Sequence, residues 1–131
     1  MSGRSTSCRG VAQHERTLRA ANNYADSLNV LKHFKEAKAL MRKTVPVARR
    51  IFEESNETAL KIRWSYAVAL YKDTSATLDD LREAEATLED TERIARRVFG
   101  SAYPLTAGIE HVLRTARAVR RARETPLPGR A

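Results

Sequence analysis

Cysteine, glycine, proline and aromatic residues are all scarce in this chain of 131 residues. Cys8 is the only cysteine, so the chain can close no internal disulfide and offers no Cys-rich metal site. With no base to activate it, Cys8 reads as a free thiol in a leader and not as a nucleophile. Gly and Pro are sparse between residues 20 and 100, where Ala, Leu, Glu, Arg and Lys dominate, which is helix-forming composition. An aromatic content of 6% means that a core must be built mainly from Ala, Leu and Val. No window approaches the roughly 18 consecutive apolar residues of a membrane span, and the first seven residues lack the apolar centre of a secretory signal. A single-domain, soluble cytoplasmic protein that does not touch membranes is the expectation.

Catalytic patterns are missing too. His14, His33 and His111 fall on three different elements, and none has metal-ligand spacing with a second His, Cys or carboxylate. There is no Gly-rich phosphate loop, no Gly-x-Ser-x-Gly and no paired-carboxylate signature. The expectation is a protein that is not an enzyme, with no catalytic residue, cofactor or metal. The net charge of +8 belongs to the ends: residues 1–20 carry +3, residues 107–131 carry +4, and the body between them only +1. Both signs are interspersed there, which weakens a nucleic-acid reading.

What the chain does have is a repeat. Glu15, Leu18, Tyr24, Ala25 and Leu28 recur 42 residues later as Glu57, Leu60, Tyr66, Ala67 and Leu70. Farther along the spacing becomes 47, with Phe34-Lys-Glu-Ala37 matched by Leu81-Arg-Glu-Ala84 and Ala48-Arg-Arg-Ile-Phe52 by Ala95-Arg-Arg-Val-Phe99. Periods of this size mean stacked copies of one supersecondary unit.

Helical spacing fills in the units. Leu18, Ala21, Ala25, Leu28 and Leu31 mark the buried stripe of a first helix, broken at Lys32-His33. Phe34, Ala37, Leu40, Met41, Val45, Ala48 and Phe52 mark a second, in which Pro46 predicts a kink near residues 42–46 or a split. After the polar connector Glu53–Glu57, a third helix buries Leu60, Trp64, Ala67, Val68 and Tyr71. The turn-favouring cluster at Asp73 follows, and Thr77 with Asp80 resembles a capping box that opens a fourth helix. Its stripe is Leu81, Ala84, Leu88, Thr91, Ile94, Ala95 and Val98, with Gly100 as terminator. Pro104 starts a fifth helix with Ile109, Leu113, Ala116 and Val119 on one face, and with Glu110, Arg114, Arg117, Arg121 and Glu124 on the other, toward water. The expected organisation is therefore a disordered leader (1–13), repeat 1 (14–56), repeat 2 (57–103), a capping helix (104–124) and a disordered tail (125–131).

Asn22-Asn-Tyr-Ala25, Phe34-Lys-Glu-Ala37 and the connector Ala95-Arg-Arg-Val-Phe-Gly100 followed by Tyr103-Pro-Leu-Thr106 resemble, in order and spacing, the long tetratricopeptide repeat of the kinesin-light-chain type. The likeness covers about residues 14–124. His14-Glu-Arg-Thr17 resembles the end of a further connector, as if a unit preceded it. Departures are Lys32 in place of the turn glycine, five inserted residues between Leu70 and Leu81, and Trp64-Ser65 where the family has paired Asn.

The resemblance implies an all-α fold, a tetratricopeptide-type α-solenoid of two helix–turn–helix repeats plus a C-terminal capping helix. It also implies a non-catalytic scaffold or adaptor that holds a partner peptide or helix in a groove lined by the first helix of each repeat. A kinesin-light-chain-like cargo adaptor is one form of this. Asn22 or Asn23 would bond the partner's backbone there, against the alternative that one faces solvent and the other satisfies a neighbouring helix. Trp64 is either a groove contact or core. Lys61 and Arg63 favour an acidic peptide if they point inward, and are solvated surface charge otherwise. Tyr24 and Tyr66 occupy an internal core position of the repeat. Self-association is left open. A different class of function, nucleic-acid or acidic-surface binding, would use Arg114, Arg117 and Arg121 on the fifth helix.

Overall fold

The computed structural model describes the backbone of residues 2–124 and the side chains of residues 13–124. It consists of five helices: α1 (Ser2–Val30), α2 (Phe34–Ile51), α3 (Glu57–Lys72), α4 (Leu78–Phe99) and α5 (Pro104–Glu124). No strand occurs among the described residues, so the all-α expectation is met. Each helix packs on the next in sequence, and α3 also touches α1 and α5. The result is two helix hairpins and a fifth helix, with α1, α3 and α5 side by side in one layer and α2 and α4 bridging them from behind. The core is continuous through all five, from Leu18 of α1 to Ala116 of α5.

The helix ends follow local chemistry. Asn56 caps α3, its Oδ1 accepting from the Ala59 amide (3.1 Å). The capping box at α4 forms as expected: Thr77 Oγ1 accepts from the Asp80 amide (3.1 Å), and Asp80 Oδ2 accepts from the Thr77 amide (3.0 Å). Asp73 organises the turn before it by accepting from both the amide and hydroxyl of Ser75. The inserted residues are thus absorbed in a connector, leaving the stacking faces intact. Gly100 ends α4 at φ 88°, and Phe99 stacks on Tyr103 across the turn, ring centroids 4.6 Å apart.

Several sequence expectations are corrected. The helical backbone of α1 begins at Ser2, so residues 2–13 are not the unstructured leader expected; the tail 125–131 lies outside the described residues. Leu31, in the turn after α1, is 66% exposed, and Val98 is 45% exposed. Pro46 does not split α2, which runs unbroken from Phe34 to Ile51. The proline is exposed, and the Arg42 carbonyl it deprives of a donor belongs to an exposed residue able to bond water. Tyr24, expected in the core, is 58% exposed, whereas its repeat equivalent Tyr66 is buried. The difference is positional: Tyr66 lies between α2 and α4, while no described element covers that face of α1.

Tyr66 is the polar junction of the back layer. Its hydroxyl donates to Glu83 Oε2 of α4 (2.6 Å) and accepts from Arg42 Nε and Nη2 of α2 (3.4 Å each). Burial, together with the bond to Glu83, holds the phenol above its usual pKa of 10.0. Burial does the same for Tyr71, and the bond to Glu57 for Tyr103. All three therefore stabilise the fold fully below the unfolded value and lose that contribution as pH rises through the folded value.

Two measurements check this description. Lys32, in the turn between α1 and α2, takes the left-handed conformation (φ 64°) that costs a side-chain-bearing residue about 1 kcal/mol. Lys32→Gly is expected to raise urea-unfolding stability by roughly 0.5–1 kcal/mol. Tyr66→Phe is expected to cost about 1–2 kcal/mol at neutral pH. Its deficit against wild type should shrink when unfolding is repeated above pH 10.0, where the wild-type phenol in the unfolded chain ionises.

Candidate functional site

The front layer leaves one groove, about 520 Å³, between α1, α3 and the middle of α5. Its floor is the single strip of α3 that no other helix covers. Trp64 and Val68 are half-buried there, Tyr71 is buried at one end, and Lys61 and Lys72 stand exposed. Val112 of α5 closes one wall, and Asn22, Asn23, Asp26 and Asn29 of α1 form the other. All four residues expected to line a groove (Asn22, Asn23, Lys61 and Trp64) do line this one.

Their roles differ. Asn22 is buried and bonded to Ser65 Oγ of α3 (2.9 Å), and Ser65 also reaches Asp26 Oδ1 (2.6 Å). Both Asn22 Oδ1 and Asp26 Oδ1 are acceptors within reach of the single Ser65 hydroxyl proton, and the nearer, charged Asp26 carboxylate is the stronger of the two. Asn29 Nδ2 donates to the Ser65 carbonyl (3.2 Å), while its Oδ1 is buried without a partner among the described residues. Asn22 is therefore the residue that satisfies a neighbouring helix, and Asn23 the one that faces solvent at the groove's edge.

Trp64 is both core and groove. Its ring packs on α5 at Gly108, where an added Cβ would lie 2.6 Å from Cη2. A glycine inside a helix costs about 1 kcal/mol against alanine, and here it buys the close approach of α3 and α5. The ring edge left over forms part of the groove floor. Lys61 pairs with Glu57 one turn earlier (3.3 Å), an exposed pair that a ligand carboxylate can exchange without great cost.

Arg63 belongs to neither groove nor solvent. It is 5% exposed and gives Nη1 to Asp90 Oδ2 of α4 (3.1 Å), in a separate cleft of about 450 Å³ on the back of the molecule. Asp90 is shared with Arg93, so the buried guanidinium has a fixed counter-charge.

The Arg-bearing face of α5 is only partly free. Arg117 pairs with Glu89 (2.8 Å), Arg120 with Glu85 (2.7 Å), Arg96 reaches Glu110 (3.3 Å), and Arg82 reaches Glu124 (3.2 Å). Arg123 donates to the Ala76 carbonyl (2.8 Å). Arg114 and Arg121 are exposed. The expectation of a face turned wholly to water is corrected, because α4 carries an acidic row, Glu85 and Glu89 four residues apart, that meets Arg120 and Arg117 of α5. That acidic row was readable in the sequence once the two helices were known to be neighbours.

No family model, curated protein or solved structure matches the chain. The site's meaning rests on its own geometry.

Sequence reasoning did not assign Asp26, Asn29, Ser65, Lys72 or Val112 to the groove, and placed Val68 and Tyr71 only in a core stripe. A polar residue of α3 facing Asn22, 43 positions away, has no local signature. Asn22→Ala is expected to cost about 1–2 kcal/mol in urea unfolding by stripping Ser65 of a buried partner, whereas Asn23→Ala stays within about 0.5 kcal/mol of wild type.

Proposed function

We propose that the protein is a non-catalytic interaction module of the tetratricopeptide type, which holds a peptide or helix of a partner protein in the groove between α1, α3 and α5. The observation that carries this reading is the gathering of Asn23, Lys61 and Trp64, from two repeats, into one open groove. The alternation of front and back helices supports it, since each hairpin buries its apolar face only against its neighbours, as in stacked repeats. The groove's composition suits an extended peptide. Trp64, Val68 and Val112 offer apolar contact, and the Asn23 carboxamide offers both a donor and an acceptor to a peptide unit. Lys61 and Lys72 lie about 16 Å apart along α3, so carboxylates flanking an apolar centre would meet a cation at each end. The cytoplasmic setting and a cargo-adaptor role of the kinesin-light-chain kind rest on composition and resemblance alone. The nucleic-acid alternative draws no comparable support, because Arg117 is engaged by Glu89.

Selection of displayed peptides on the immobilised protein tests the reading. Selected peptides are expected to lose about tenfold or more in affinity on Val68→Arg, and several-fold on Asn23→Ala or Lys61→Glu, with helicity unchanged. Arg114→Glu with Arg121→Glu should leave binding intact. Peptides that bind the Val68→Arg protein as well as wild type would place the site elsewhere.

A further inference from the structure

The outer edge of α1 carries a second surface, which borders the groove at Asn23 and Val30. Gln13, Thr17, Ala20, Tyr24, Ser27 and Leu31 alternate at four- and three-residue steps, the spacing of a helix-pairing seam. All six are exposed and none is charged. Tyr24 and Leu31, with adjacent Val30 (81% exposed), are three of the four large hydrophobic residues most exposed on the molecule's described surface. Two of the seam's three hydroxyls are already bonded within the helix, the Tyr24 phenol being the third: Thr17 Oγ1 donates to the Gln13 carbonyl (3.1 Å) and Ser27 Oγ to the Asn23 carbonyl (3.2 Å). Covering the seam therefore strands neither the Thr17 nor the Ser27 proton.

The chain supplies its own template for what such a face does. The positions 42 residues on from Thr17, Ala20, Tyr24 and Ser27 are Ala59, Ile62, Tyr66 and Ala69 of α3, all buried. Ala69 packs with Ala37 and Leu40 of α2 and Leu28 of α1. The face that α3 buries against its neighbours is thus the face that α1 leaves uncovered.

We infer that this seam pairs α1 with α1 of a second copy of the chain, antiparallel, in a two-fold dimer. The seam is self-complementary about residue 22: Ala20 faces Tyr24 of the other copy, Thr17 faces Ser27, and Gln13 faces Leu31. Large meets small at the centre, twice, as a two-fold contact requires. The flanking positions agree. Arg16 falls beside the other copy's Val30, covering it with its aliphatic stem, and Asn23 falls beside its own equivalent, so no like charges meet. α5, the helix at the opposite side of the front layer, offers no such match, since its outward face carries Arg114 and Arg121.

Sedimentation equilibrium of the full chain over about 1–500 μM tests the inference, a range suited to a single helix-pair contact. Wild type is expected to approach twice the chain mass of 14.7 kDa as concentration rises. Ala20→Arg and Tyr24→Arg should each weaken the dimer by about tenfold or more with the circular dichroism of the monomer unchanged, while Arg114→Glu dimerises as wild type does. A wild type that stays monomeric throughout overturns the proposal. So does a dimer that survives both α1 substitutions, or one that Arg114→Glu dissolves. Val68 lies in the groove and off the α1 seam, and Tyr24 on the seam and outside the groove, so Val68→Arg and Tyr24→Arg let either reading fail alone.

Discussion

Everything in this fold depends on enclosing α3. Ten of its sixteen residues are buried, and they occupy every side but the strip from Lys61 to Lys72. A helix with so wide a buried face has no stable surface position, so it needs a neighbour on each flank. Four helices supply them: α2 and α4 behind, α1 and α5 at the sides. The strip from Lys61 to Lys72 is what four neighbours leave uncovered, and it is the floor of the groove. The candidate site is therefore a by-product of how the core closes, and its width is set by how near α1 and α5 come to α3.

Those two approaches are built by opposite means. Toward α5 the seam is dry, with the Trp64 ring seated on Gly108 where no side chain intervenes. Toward α1 it is polar, with Ser65 tied to Asn22, Asp26 and Asn29. A dry seam tolerates sliding, whereas directional bonds to a single serine allow only one register, since any other strands buried groups. The polar side thus fixes where the wall of the groove stands, and the Trp–Gly side fixes how close the other wall comes. The same division explains why the Asn pair splits in role, one carboxamide holding the wall and the other facing outward.

How much of this was legible in the sequence follows from the range of the physics. Helix ends are local: the Thr77–Asp80 box, Gly100 and Pro104 were readable, and Lys32 could be seen standing in for a turn glycine. Stripes were readable for α2 and α4, which each have one solvent side. The single-stripe assumption failed on α3, where Ile62, Arg63 and Ser65 lie off the expected face and are buried all the same. Periodicity reports how many sides are apolar and says little about which neighbours cover them. Arg63 shows the limit well. A charge on a helix defaults to solvent, and only the arrival of Asp90 from α4 makes its burial tolerable.

Tyr24 and Tyr66 carry the same lesson further, because they are one residue of one repeat with opposite fates. A repeat copies its stacking faces into every unit, but a face is satisfied only where a neighbour exists, so the first and last helices of a stack each inherit a face made for contact. On α5 that problem is met by charge: the helix is tied inward through Arg117 and Arg120 to Glu89 and Glu85, and Arg114 and Arg121 keep its outside wet. Nothing equivalent has been done on α1. Its outer seam keeps Tyr24 and Leu31 exposed, bears no charge, and bonds the Thr17 and Ser27 hydroxyls within the helix. A surface selected only for solubility would be expected to carry lysine or glutamate at one of six such positions. The two edges thus differ in what they leave to water: charged side chains on α5, and on α1 an uncharged seam that keeps Tyr24 and Leu31 in the open.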